Sequence, residues 1–148
     1  MIWIIAISIL ILDQLTKYLI VANFDYLQSV TVIKDIFHLT LVHNYGAAFG
    51  ILQNQRILFI AIALLVLGVI IYFYRQLPSD WISKLAIGLA IGGTIGNLID
   101  RVRLGYVIDF FDFRIWPVFN IADSAIVVGM LLLAWKIIIT DEYEEEKI

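Results

Sequence analysis

Two aspartates in the last third of the chain have the clearest potential for chemistry. Asp109 lies in an extended aromatic stretch and Asp123 at the start of an apolar segment, and the residues between them can fold back and bring both together. Two close carboxyl groups do not both ionise readily, so they share a proton. One can take a proton from water while the other donates one to a carbonyl oxygen, which hydrolyses an amide. Spacing alone does not distinguish this pair from Asp100/Asp123 or from a structural set.

Other hydrolytic arrangements have little support in the sequence. His38 and His43 do not form a helical H-E-x-x-H zinc motif, and Ser124 has no histidine or lysine near it in sequence to act as a base. The chain has no cysteine, which excludes thiolate catalysis, disulfides and sulfur-ligated metals. We therefore expect carboxylate chemistry that uses no metal and no cofactor.

Two charged residues interrupt the first apolar segment. Asp13 and Lys17 are four positions apart, which places them on one helix face, close enough to form a salt bridge. A charge inside a bilayer has an insertion penalty of about 2.5–3.5 kcal/mol, so such residues are candidates for function. A salt bridge that makes both tolerable is the structural alternative, and Lys17 can also extend to the membrane interface.

Polar residues also mark the end of the third apolar segment and the start of the fourth. Asn97 and Arg101 share a helix face with Asp100 adjacent, which is typical of a capping and ion-pair cluster. Asn120 is a good N-cap, and Asp123 then falls at the third helical position, as in a capping box. Each of these residues thus has a structural interpretation beside the functional one.

The composition identifies the setting in which these residues act. The chain has 148 residues, of which 62% are hydrophobic and 16% charged, and its mean hydropathy is +0.95. Soluble domains are roughly 45–50% apolar and about 25% charged, so an ordinary globular protein is excluded, as is a disordered chain. The net charge of −3 comes largely from the tail, and no basic patch indicates nucleic acid. We expect one small membrane domain over residues 1–148.

Four apolar segments are long enough to cross a bilayer, which needs about 20 residues. The sequence predicts spans at residues 2–22, 57–74, 81–99 and 121–139. The first lacks a basic start and an A-x-A cleavage site, so we interpret it as a retained helix. Four spans place both termini on one side of the membrane, with an acidic tail at 140–148. Lys and Arg are divided almost evenly between the two sides, so charge bias does not orient the protein.

Two of the connections are strand-like. The connection at 23–56 is rich in β-branched and aromatic residues at 29–33 and 36–43. The connection at 100–120, which contains the first aspartate of the pair, is aromatic and extended at 106–116. The predicted fold class is therefore a mainly α membrane protein with four transmembrane helices and a small β-rich cradle at one membrane interface.

The residues alone leave two other functions open. A small ion or proton-coupled transporter could use the intramembrane Asp and Lys as a relay, although the sequence has no internal repeat. A non-catalytic assembly subunit could be held together by Gly88, Gly92 and Gly96, which recur every four residues and let helices approach closely. Packing within the protein explains the same glycines.

Five sequence blocks, taken together, resemble those of one family. They are LDQLTK at 12–17, NYGAAFG at 44–50, GGTIGNLIDR at 92–101, GYVIDF at 105–110 and FNIADS at 119–124. They occur in the order in which the lipoprotein signal peptidase (signal peptidase II) family of membrane aspartic endopeptidases has them. The chain therefore resembles that family over residues 10–130.

The resemblance implies that Asp109 and Asp123 are the catalytic pair. The supporting and substrate-binding set that we expect is Asp13, Lys17, Asn44, Gly46, Asn97, Asp100, Arg101 and Asn120. Residues 46–48 can let a substrate backbone pass closely or can form only a turn. His43 stands where the family often has an arginine, so we expect no direct role for its side chain.

The resemblance also implies a substrate and an orientation. The expected reaction is removal of the signal peptide from a bacterial prolipoprotein just before a diacylglyceryl-modified cysteine. Both termini are then cytoplasmic, and the cradle and the catalytic pair lie near the outer leaflet of the cytoplasmic membrane. We expect a monomer whose partners are prolipoprotein substrates and membrane lipids.

Overall fold

Four long helices and a small sheet form the protein in a computed structural model, which describes residues 1–47, 51–73 and 80–145. The helices are α1 (Ile2–Asn23), α2 (Arg56–Phe73), α3 (Trp81–Arg103) and α4 (Ile121–Glu145), and the strands are β1 (Ser29–Ile33), β2 (Phe37–Asn44) and β3 (Val107–Asp112). Each helix is long and apolar enough to span a membrane. The predicted fold class, four transmembrane helices with a small β-rich cradle, is confirmed.

Two helices extend beyond their predicted ends. Helix α3 continues through Arg103, so Asp100 and Arg101 belong to the helix and not to the connection predicted at 100–120. It ends at Arg103, and Gly105, two residues later, has a φ of +88° that an L side chain rarely adopts. Helix α4 continues to Glu145, so most of the predicted tail at 140–148 is helical. Tyr74, which closes the predicted second span, and residues 146–148 lie outside the described residues.

Helix α3 lies at the centre of the bundle and packs against α1, α2 and α4. Its glycines allow α1 to come close: a Cβ at Gly88 would lie 2.7 Å from Ile5 Cβ, and one at Gly92 would lie 2.6 Å from the Ala6 carbonyl oxygen. The packing interpretation of the glycine repeat is therefore confirmed. Helices that approach this closely leave no space for lipid or water, so polar side chains between them must bond one another.

The sheet is antiparallel with strand order β1–β2–β3. It lies at the end of the bundle where α1 and α3 end and α2 and α4 begin, because its strands belong to the connections at that end. A cluster of buried apolar side chains, Ile20, Leu41, Ile108 and Phe110, joins the sheet to the end of α1. The register between β2 and β3 places Asp109 opposite Val42. Asp109, a residue of β3, thus lies within hydrogen-bond distance of Asn120 at the start of α4.

Candidate active site

Asp109 projects from β3 toward the bundle and is almost fully buried, with 1% of its surface exposed. Its two carboxyl oxygens accept hydrogen bonds from two side-chain amides, Asn120 Nδ2 to Oδ1 at 2.7 Å and Asn44 Nδ2 to Oδ2 at 2.8 Å. Asn44 is the last residue of β2, the neighbouring strand. The sheet and the start of α4 thus hold this carboxyl from two sides.

Asp123 lies in the first turn of α4 and is less buried than Asp109. Its backbone N–H donates to Asn120 Oδ1 at 2.8 Å, and the backbone N–H of Asn120 donates to Asp123 Oδ2 at 3.2 Å. This reciprocal pair is the predicted capping box, with Asp in the place of the usual Glu or Gln. Asn97 Nδ2 of α3 donates to the other oxygen, Oδ1, at 2.7 Å.

Asn120 brings the two carboxyl groups together, because it bonds Asp109 through its side chain and Asp123 through its backbone. Burial raises the pKa of Asp109 to about 8, and the neighbouring charge of Asp123 raises it too, against the effects of Asn44, Asn120 and Lys17. Burial thus favours the protonated form of Asp109. Asp123 lies at a helix N-terminus, where the backbone N–H groups favour negative charge. Such a pair can supply an acid, Asp109, and a base, Asp123.

Asp100 does not form the pair with Asp123 that spacing left open. Its Oδ2 lies 2.8 Å from Lys17 Nζ and accepts the backbone N–H of Ile108 at 3.2 Å. Asp112, on the same strand as Asp109, bonds Thr40 Oγ1 at 2.7 Å and lies 3.3 Å from Arg114. Each of these carboxylates is occupied by other partners.

The salt bridge predicted between Asp13 and Lys17 is present, with Nζ 2.9 Å from Oδ2. Lys17 also contacts Asp100, so one buried ammonium group lies between two carboxylates. The other oxygen of Asp13 accepts the backbone N–H of Ala122 at 3.0 Å. Helix α1 therefore contacts α4 one residue before Asp123.

Arg101 lies on the last turn of α3 at the edge of the pair. Its guanidinium group is 3.5 Å from the Gly46 carbonyl oxygen, 3.4 Å from the Asn97 carbonyl oxygen and 4.9 Å from the centre of the Phe59 ring. These contacts join α3 to α2 and to the segment after β2. The guanidinium group therefore places a positive charge beside the pair without a direct ion pair to Asp109 or Asp123 among the contacts of the described residues.

A cavity of about 640 Å³ opens onto the site from the sheet. Asp109, Asn44 and Gly46 lie on its wall, together with residues 114–118 of the connection to α4. Gly46 packs closely against residue 51, because a Cβ there would lie 2.6 Å from the Ile51 carbonyl oxygen. Of the predicted close-approach segment 46–48, residue 48 lies outside the described residues. A peptide has room to reach Asp109 from this side.

His43 lines the same cavity and is held in a stack of rings. Its ring centre lies 4.7 Å from that of Tyr26 and 4.1 Å from that of Tyr106. Burial lowers its pKa below the usual value. The side chain thus packs between the two tyrosine rings.

Sequence reasoning missed one side chain of the site. Gln14 Nε2 donates to Asp100 Oδ1 at 3.0 Å and to Asp13 Oδ2 at 3.2 Å, so it links the two carboxylates around Lys17. The available signal was its position in the block LDQLTK, as a third polar residue in an apolar span. A half-buried amide between two carboxylates donates to both.

The fold and the buried polar site together define a multi-pass membrane protein with a carboxyl pair at one end of its helix bundle. Residues 5–139 match the signal peptidase (SPase) II family. The chain belongs to this family and is a peptidase. The transporter interpretation is not supported.

Individual relatives agree with this assignment. The chain is 50% identical over 135 residues to a lipoprotein signal peptidase of Moorella thermoacetica, covering 90% of each chain. It is 46% identical over 148 residues to one of Desulfitobacterium hafniense, covering 99% of this chain and 98% of the relative. A bacterial membrane enzyme solved by the in meso method at 2.3 Å resolution superposes with a TM-score of 0.85 at 36% identity, covering 97% of this chain and 88% of that one.

Proposed function

We propose that the protein removes signal peptides from bacterial prolipoproteins by hydrolysing the amide bond before a diacylglyceryl-modified cysteine. Asp109 and Asp123 are the catalytic pair in this proposal. The observation that carries it is the contact of both carboxyl groups with Asn120. The relatives are lipoprotein signal peptidases, which supports the substrate class.

The two carboxyl groups divide the work of hydrolysis. Ionised Asp123 takes a proton from a water molecule as the water oxygen attacks the scissile carbonyl carbon, and protonated Asp109 donates its proton to the carbonyl oxygen. In the second step Asp123 returns its proton to the leaving nitrogen, the C–N bond breaks, and Asp109 recovers a proton as the new carboxyl group forms. The pKa of Asp109, about 8, supports its role as the acid.

The supporting residues hold this arrangement in place. Asn44, Asn97 and Asn120 donate to the two carboxyl groups. Asp13 bonds the start of α4, and Lys17 and Asp100 form the ion cluster behind it. In our proposal Arg101 and Gly46 line the path of the substrate beside the pair.

In this proposal the peptide and the lipid of the substrate bind at separate places on the protein. The peptide occupies the cavity beside Asp109, whose volume of about 640 Å³ accommodates several residues. The diacylglyceryl chains lie between the helices in the bilayer. Each buried CH₂ of an acyl chain contributes about 0.8 kcal/mol to anchoring, so two chains supply affinity that an unmodified cysteine lacks.

The orientation in the membrane is part of the proposal and is the one that the family resemblance implies. We propose that residues 1–148 form one membrane domain, active as a monomer in contact with membrane lipids, with both termini in the cytoplasm. The end that carries the sheet then faces outward in the bacterial cytoplasmic membrane. Asn97, which bonds Asp123, lies about 9 Å below the end of α3 at a rise of 1.5 Å per residue, which supports a position of the pair within the outer leaflet.

The direct test uses the purified protein in detergent micelles and two versions of one precursor peptide, with and without a diacylglyceryl group on the cysteine. We expect cleavage of the lipidated peptide immediately before the cysteine, read by product mass, and poor cleavage of the other. Asp109→Asn serves as the inactive control. Equal cleavage of both peptides contradicts the lipid selection, and no cleavage of either contradicts the proposed function.

A further inference from the structure

Lys17 is surrounded on every side by acceptors. Its Nζ lies 2.8 Å from Asp100 Oδ2, 2.9 Å from Asp13 Oδ2 and 3.0 Å from Asn97 Oδ1, and only 2% of the residue is exposed. An ammonium group has three N–H donors and no acceptor. All three N–H donors of Lys17 are therefore used, and each of the three atoms that they contact has to be an acceptor.

This requirement decides the orientation of the Asn97 amide. The oxygen and nitrogen of an asparagine side chain have nearly the same shape, so the partners determine which way round the amide stands. Because Lys17 can only donate, the oxygen of Asn97 faces Lys17 and the NH₂ group faces away from it. The NH₂ group then points to Asp123 Oδ1, at 2.7 Å.

The amide of Asn120 also faces the oxygen of Asn97, and its own orientation is set by the backbone N–H of Asp123, which donates to Asn120 Oδ1 at 2.8 Å. Asn120 Nδ2 donates to Asn97 Oδ1 at 3.1 Å and to Asp109 Oδ1 at 2.7 Å. With Asn97 turned over, its NH₂ group would face the Lys17 ammonium group and the NH₂ group of Asn120. Its oxygen would face the carboxyl group of Asp123. Favourable contacts would be replaced by repulsive ones, so a single orientation is strongly preferred.

We propose that Lys17 is a positioning residue: by fixing the orientation of the Asn97 amide, it directs an N–H donor at Asp123. The proposal rests on the proposed function of the carboxyl pair and adds a role for a charge that does not touch it. A buried salt bridge alone does not need the third contact of Lys17, the one to Asn97. That contact is the one that reaches the catalytic groups.

A double-mutant cycle of Lys17 and Asn97 distinguishes a positioning role of Lys17 from a role in stabilising the fold. We expect Lys17→Met to lower kcat on the lipidated peptide by about 10²-fold, the scale of a small misplacement of catalytic groups, with KM changed less than about twofold. In an Asn97→Leu background no amide remains to be oriented. There, adding Lys17→Met should change kcat less than about twofold. A further tenfold loss in the double variant overturns the proposal.

Two controls address folding and charge. Ile87→Ala removes a buried side chain of the core away from the pair and should lower thermal stability while leaving kcat unchanged. Lys84→Met removes another lysine of the bundle, one that lines a separate apolar groove, and should leave kcat unchanged. If either control reduces kcat as Lys17→Met does, loss of stability or of charge explains the effect and the proposal is wrong.

Lys17→Met leaves two buried carboxylates without their cation and can fail to fold. The double variant Lys17→Met/Asp100→Asn removes one charge of each sign, so the net charge of the cluster is unchanged. We expect it to fold and to show the same loss of kcat. Wild-type kcat in this folded variant overturns the role of Lys17. The proposed function itself then still stands, provided that the wild type cleaves and Asp109→Asn does not.

Discussion

The side-chain amide of Asn120 donates to Asp109 at 2.7 Å. The same residue caps α4, and its backbone N–H bonds Asp123. Because a cap residue has its backbone set by the helix that it begins, the spacing of the two carboxyl groups follows from the start of α4 and not from a flexible loop. The N-cap is therefore part of the candidate active site.

Replacing either carboxyl group of the pair should abolish cleavage. Asp109→Asn removes the acid and Asp123→Asn the base, so we expect kcat to fall by at least about 10²–10⁴-fold, the range of general acid–base contributions. The measurement is cleavage of the lipidated peptide by variants whose thermal unfolding shows that they fold. Asp112→Asn is the matched control, because Asp112 lies on the same strand but bonds Thr40. Near-normal turnover in either variant of the pair contradicts the mechanism.

The activity should fall as the pH rises through about 8, because the acid Asp109 then loses its proton. Asn44 donates to this carboxyl at 2.8 Å, and this bond favours the ionised form. Asn44→Leu removes that donor, so the pKa of Asp109 rises and the alkaline limb of the kcat/KM profile moves to higher pH. Asn23→Leu, which changes an exposed amide on α1, should leave the limb in place. A shift of the alkaline limb of the Asn44→Leu variant to lower pH contradicts this prediction.

Activity should survive metal chelators. Both oxygens of Asp109 and both of Asp123 accept N–H donors from protein amides. N–H groups directed at these oxygens compete with a cation for the same lone pairs. We expect unchanged cleavage after treatment with EDTA and dialysis. Loss of activity that zinc restores indicates a metalloenzyme instead.

Gly96 should not tolerate a side chain. A Cβ there would lie 2.5 Å from Asp13 Oδ2, where the carboxylate passes between α1, α3 and α4. We expect Gly96→Ala to destabilise the protein by about 1–3 kcal/mol and to lower activity, as measured by thermal unfolding and cleavage in detergent. Gly68→Ala is the control, because nothing lies within 4 Å of a Cβ at that position. Equal stability of the two variants contradicts the packing of Asp13 against α3.

Features that depend on neighbours along the chain could be predicted from the sequence. The apolar segments predicted four spans, because length and hydropathy decide whether a helix can cross a bilayer. The capping box of Asn120 and Asp123 was also predictable, because its partners are three positions apart. Helix ends were less certain: α3 runs past the predicted end at 99, to Arg103.

The pairing of distant polar groups was decided by the tertiary structure. The sequence predicted that Lys17 pairs with Asp13, one helical turn away, but not that it also contacts Asp100 and Asn97. Likewise the spacing left Asp100 and Asp109 as equal candidates to join Asp123. In a packed membrane bundle every buried donor must meet an acceptor, so the choice among partners is made only when α1, α3, α4 and the sheet come together.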